Sequence, residues 1–409
     1  MRPDCLVPYL WNALMASVCA FGVLGSAGHA AAQERERQAQ PAAPTAPDPN
    51  GSVQFFAGTQ GGFDTNLDNR FQSRASPFEM LQLGASGAYK PTDSSAYSFY
   101  VSGRDFWYNN LALSQRYDID TAVGARFDFS PTTALKLGGS YYKDAISLDR
   151  YDIFKGFADL VNEGETYRFR LKLDSRTEVS TNERPSGSLA PDVLAATRNS
   201  AFDFTKNGAT ASVLMMRNQM IAPFIMGSYS DVDYFHQAPD PLINRSARDY
   251  WGTAGARVAL NPDVSFDLGA RYNHRDFADQ TVTQFSSSYL DARLTWRAYD
   301  GLTLRGIVER QIKEPTTSFG LADDVTTYEA AFDRRLASWS IRGRVWLDHV
   351  RPIGDPLDYY KYNWSLGVGY DLAKNTELFA EYFGRHVTEK VNDVTYERTR
   401  LGAGIRMTF

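Results

Sequence analysis

Apolar side chains recur at every second position through most of this chain, and no other feature limits its folding so sharply. Residues 393–409, DVTYERTRLGAGIRMTF, show the rhythm. One parity carries Phe409, Met407, Ile405, Ala403 and Leu401; the other carries Thr408, Arg406, Gly404, Gly402, Arg400 and Arg398. Successive side chains of a strand point to opposite faces, so this segment has a greasy face and a wet one. The clearest case is 358–372, where Tyr360, Tyr362, Trp364, Leu366, Val368, Tyr370 and Leu372 share one face. Lys361, Asn363, Ser365, Gly367, Gly369 and Asp371 share the other. The same period runs through 119–129, 167–173, 264–272, 290–296, 328–336 and 339–347, and no heptad or solenoid repeat is visible.

Composition decides what the greasy faces meet. Aromatic residues make up 13% of 409 residues, yet mean hydropathy is -0.39. A helical membrane protein needs about 20 consecutive apolar residues per span, which this chain lacks outside its first segment. A transmembrane barrel gives lipid only alternate residues and is polar on average. Aromatics cluster at both ends of the 358–372 stripe with aliphatics between, as rings seeking two membrane interfaces would be arranged. Turn formers at 90–93, 130–132, 261–263, 299–301 and 373–375 alternate with longer polar links at 144–162, 185–200, 236–245 and 313–323. Short turns on one side and long loops on the other is the asymmetry of outer-membrane barrels, the short side being periplasmic. A terminal aromatic closing the last strand fits the signal read by the barrel-assembly machinery.

The expectation is therefore an all-β fold, a transmembrane antiparallel up-and-down β-barrel of about 18 strands in the bacterial outer membrane. The count falls to about 16 if the weak segment 177–181 and the segment 220–229, which holds Pro223 and has no clean parity, are discounted. A soluble multi-sheet protein is the competing fold, but it has no need of aromatic girdles. The link 144–162 is expected to be a loop, either on the surface or forming a short helix inside the bore.

Upstream, residues 1–32 read as a secretory signal peptide, with Arg2, an apolar body and small residues before the cleavage site. Residues 33–50 are charged and then Pro- and Ala-rich, a disordered periplasmic tether too short for a plug domain. The barrel is assigned to 51–409. Cys5 and Cys19 both fall in the signal segment, so the mature chain has no cysteine chemistry.

If the greasy faces meet lipid, the opposite faces line the interior. Arg342, Arg344, Arg385, Arg398, Arg400 and Arg406 fall on that parity, as do Asp348, Glu377 and Glu381. Charges of both signs on adjacent strands can neutralise one another at about 0.2–1 kcal/mol per pair. Alternatively the arginines form a cationic constriction that favours anions, with Arg342, Arg344, Arg398 and Arg400 the densest group. Enzyme chemistry is not expected. No H-x-x-x-H, H-E-x-x-H or G-x-S-x-G pattern occurs, no metal or cofactor is called for, and Asp118 and Asp120 are a lone carboxylate pair on one strand face. His349 and His386 fall where apolar stripes end, which suits interfacial structural roles. The net charge of -5, without a basic run, gives no case for nucleic acid.

Gly61, Gly62, Phe63, Asp64 and Asn66, in GGFDTN followed by LDNRF, carry a resemblance to the outer-membrane beta-barrel porin 2 family. At this first-strand signature the chain resembles the family at motif level; over 51–409 it resembles it in architecture. Leu67-Asp68 departs from the more usual apolar pair. The resemblance implies a passive channel in contact with outer-membrane lipid, associated with exopolysaccharide or capsule export and with periplasmic export components. A general diffusion porin for small anionic solutes and a structural or adhesive barrel are the alternatives.

Overall fold

A computed structural model describes residues 51–65, 75–109, 115–144, 151–180, 203–216, 219–235, 243–299, 301–315, 320–354, 358–389 and 394–409. The signal peptide and tether lie outside the described residues, as do Asn66 and the segment 185–200. Eighteen strands make a single sheet: β1 (Ser52–Asp64), β2 (Ser76–Thr92), β3 (Ser95–Tyr108), β4 (Gln115–Asp128), β5 (Thr133–Asp144), β6 (Tyr151–Glu163), β7 (Tyr167–Ser180), β8 (Phe204–Met215) and β9 (Ile221–Tyr234), then β10 (Ala247–Asn261), β11 (Val264–Phe277), β12 (Phe285–Tyr299), β13 (Leu302–Lys313), β14 (Ala322–Leu336), β15 (Trp339–Ile353), β16 (Tyr359–Ala373), β17 (Thr376–Glu389) and β18 (Val394–Thr408).

Each strand pairs antiparallel with the next, and β1 pairs with β18, from Phe56 opposite Thr408 to Asp64 opposite Arg400. The seam is completed by Phe409 N to Phe55 O at 2.7 Å and Phe55 N to Phe409 O at 3.2 Å. The sheet has no free edge, which removes the template for pairing with other chains. Connections after even-numbered strands are short and lie at the rim holding Ser52 and Thr408; those after odd-numbered strands are at the opposite rim.

Which parity faces outward follows from contacts that skip strands, since these form only on the concave side. Phe56 of β1 stacks on Tyr100 of β3 at 5.8 Å, and Lys206 of β8 reaches Asp249 of β10 at 2.8 Å. The other parity meets no protein: Leu290 is 71% and Val123 64% exposed, amid a continuous apolar band. A soluble monomer does not carry such a surface. Towards both rims the outward face turns aromatic, with cross-strand pairs such as Trp339–Tyr370 at 4.7 Å and Tyr229–Tyr250 at 5.2 Å.

The segment expected to be a loop at 144–162 is mostly strand. Residues 151–163 form β6, paired along its length with β5 and β7. Its alternation is hidden because apolar residues fall on both faces: Ile153, Phe157 and Val161 point inward among Lys155 and Asp159, Phe154 and Leu160 outward. Of the weak segment 177–181, residues 177–180 end β7, and 221–229 belong to β9. Pro223 lies beyond the last β8–β9 pair, Leu214 opposite Phe224, where its missing N–H breaks no rung with β8.

Candidate functional site

The site is the concave face. Register places Arg342, Arg344 and Asp348 of β15, Glu377, Glu381 and Arg385 of β17, and Arg398, Arg400 and Arg406 of β18 all on it. The grouping of Arg342 and Arg344 with Arg398 and Arg400 spans two intervening strands.

Most of these charges are matched laterally. Arg344 Nη2 lies 2.6 Å from Glu329 Oε2, Arg406 Nη1 2.9 Å from Glu377 Oε2, and Arg342 Nε 3.5 Å from Asp333 Oδ2. Arg385 donates to Asn363 Oδ1 at 2.8 Å, and Asp348 accepts from Thr327 Oγ1 at 2.6 Å. Arg398 is buried against Asp64, Nη2 to Oδ2 at 2.8 Å. Arg400 differs. It makes no ion pair among the described residues, and its guanidinium lies over Phe78 and Phe106, 4.8 and 5.4 Å from the ring centroids. Glu381 is surrounded electrostatically by Arg400, Arg406, Arg104 and Arg342.

Of the GGFDTN signature, Gly61, Gly62, Phe63 and Asp64 end β1 at the seam. Gly62 and Asp64 face inward; a Cβ at Gly62 would overlap the Leu401 carbonyl oxygen and the Phe78 ring. These residues close the barrel.

Two groups escaped the sequence reading. The inward face of β7 is charged at every position from 168 to 178: Arg168, Arg170, Lys172, Asp174, Arg176 and Glu178. The polar parity of 167–173 was available to reveal its first part. The second is centred on Glu314, just past β13. Its carboxylate takes Lys206 at 3.0 Å, Arg275 at 2.8 Å and the Tyr234 hydroxyl at 2.7 Å. Burial pushes the Glu314 carboxyl up, but Arg275 and Lys206 outweigh it and hold the group well below the usual carboxylate range. Nothing in the sequence near Glu314 signals partners that are 39 to 108 residues away.

His349 and His386 point outward, with Nε2 of His349 2.7 Å from Asp358 and Nδ1 of His386 2.9 Å from Glu397. Asp118 and Asp120 share the inward face, Asp118 paired to Arg104 at 2.8 Å. Among the described residues no three His, Cys, Asp or Glu side chains are grouped as metal ligands.

Residues 96–409 match the family described as "Putative beta-barrel porin 2". The chain belongs to this family. The outer membrane protein OpdK of Pseudomonas aeruginosa is similar in fold, at TM-score 0.50 and 10% identity over 88% of this chain and 99% of that one. OccK2 (OpdF) of the same organism, in complex with glucuronate, gives 0.47 and 11% over 88% and 98%. A mutant ferric enterobactin receptor, PfeA, also from P. aeruginosa, gives 0.43 and 9% over 88% and 80%. No curated protein matches the chain. This porin 2 barrel is a porin-like channel of the bacterial outer membrane, and its outward apolar band meets lipid.

Proposed function

We propose that the barrel conducts polysaccharide outward across the outer membrane, with acidic chains as its cargo. The observation carrying this reading is the repeated placing of a guanidinium on an aromatic ring along the inward face. Arg400 lies on Phe78, Arg406 on Phe379 at 4.9 Å, Arg344 on Trp346 at 4.7 Å and Arg271 on Trp251 at 4.5 Å. Arginine grips carboxylates through two parallel N–H donors, and stacking holds the fork in place. Phe78 and Trp346 are themselves covered, so these rings hold the guanidinium fork rather than meet the sugar. A bore of about 18 strands is wide enough for a hydrated chain. The family's association with exopolysaccharide export supports the direction of transport, which brings periplasmic export components to the short-turn rim and the assembly machinery to β18.

Deleting the gene and fractionating the polysaccharide tests the reading. Surface glycan falls and periplasmic glycan rises if it holds. Unchanged surface glycan with reduced uptake of small anions overturns it in favour of a general diffusion porin.

A further inference from the structure

Among the described inward-facing aromatics of the strand interiors, Phe157 alone is exposed, 40% at the middle of β6; Phe56, Phe78, Phe106, Phe204 and Trp346 are under 5%, and Tyr100, Phe224, Trp251, Tyr289 and Phe379 are half-buried. A bare phenyl ring facing an aqueous bore is unfavourable, by about 25 cal/mol for each Å² left in water. Its setting is equally specific. Phe157 is paired with Gly138 of β5, and a Cβ built on Gly138 would run into the ring edge. The absence of a side chain there lets the ring lie over the β5 backbone.

Three successive inward rungs frame the ring. Lys136, Asp159 and Lys172 form the rung on the short-turn side; Gly138, Phe157 and Asp174 form the middle one; Ser140, Lys155 and Arg176 form the third. Rungs of one face are about 7 Å apart along the strands. Cations thus stand on both sides of the ring. Lys136 is exposed and makes no ion pair among the described residues, and Lys172 holds Asp174 only loosely, at 3.6 Å.

We propose that Phe157, seated over Gly138, is a stacking platform for one sugar ring of a passing glycan, and that Lys136 and Lys172 hold the carboxylate of that sugar. This rests on the reading of the barrel as a polysaccharide conduit and names the subsite and the chemical class it prefers. An exposed Lys136 and a half-buried Lys172 give weak, reversible attraction, which conduction requires.

The test uses the full mature barrel in planar bilayers, with galacturonate oligomers and neutral malto-oligosaccharides as blockers of the ion current. F157A raises the concentration for half-block at least tenfold for both, and F157W restores it. K136Q/K172Q raises it at least tenfold for the galacturonates alone. Heat-modifiable migration in SDS gels shows that each variant is folded. Block by galacturonate that is unchanged in F157A and in K136Q/K172Q overturns the subsite while leaving the conduit intact. No block of the wild type by either sugar overturns the ligand class, and the deletion experiment then judges the conduit separately.

Discussion

Arg398 donates to Asp64 across the closing seam, Nη2 to Oδ2 at 2.8 Å, although the two lie 334 positions apart in the chain. Asp64 is fully buried and Arg398 nearly so. Removing one member of a buried pair strands the other and costs about 3–5 kcal/mol. D64A is therefore expected to lower the unfolding free energy of the refolded barrel, measured by urea titration, by that amount. The double variant D64A/R398A loses less than the two single losses added together. The same geometry makes Arg398 a poor probe of ion selectivity, because its removal damages closure, whereas Arg400, on Phe78 and Phe106, can be exchanged without breaking an ion pair.

Neighbouring glycines of the signature are expected to behave oppositely. Gly61 faces outward with open space where a Cβ would go, while at Gly62 the carbonyl of Leu401 and the ring of Phe78 occupy that space. G61A assembles like the wild type. G62A forces the β1–β18 seam apart and is destabilised by about 1–3 kcal/mol. Trypsin resistance and heat-modifiable migration distinguish the two.

The fold was legible because lipid enforces the alternation: Leu366 between Gly343 and Tyr382 shows the same parity in the sequence and in the sheet. β6 was misread where that constraint is weakest, since Ile153 and Val161 are apolar inside a wall already lined with side chains. The inward parity of Arg342, Arg344, Arg398 and Arg400 could likewise be read from strand period. Their partners could not, because Asp64, Glu329 and Asp333 meet them through register, which no local pattern encodes. Phe157 falls in the segment expected to be a loop, and its inward seat shows only in the pairing of β6 with Gly138 of β5.

Adjacent residues on β16 test the lipid face directly. Leu366 points outward near mid-strand and is 44% exposed to what is bilayer in the membrane. Gly367 points inward with nothing where its Cβ would lie. L366R is expected to cost about 2–4 kcal/mol in urea titrations of vesicle-inserted protein. G367R, one residue along but on the water side, leaves the unfolding free energy within about 0.5 kcal/mol of the wild type. Equal destabilisation by the two variants would contradict the assignment of faces.

Glu314 gives the barrel a dependence on acid. Its carboxylate is shared by Lys206, Arg275 and the hydroxyl of Tyr234, so three strands, β8, β9 and β11, converge on the residue following β13. The folded value lies below the ordinary glutamate value near about 4.3. A depressed carboxylate contributes stability that is fully present above the unfolded value and disappears as pH falls through the folded one. E314Q leaves Arg275, which is wholly buried, one carboxylate short and should cost about 3 kcal/mol at pH 7. The gap between wild type and E314Q in urea midpoint is expected to stay constant above pH about 5 and to narrow below pH about 4. A gap that widens on acidification would mean that Glu314 is protonated in the folded barrel, and the convergence of the three strands on a charged carboxylate would be wrong.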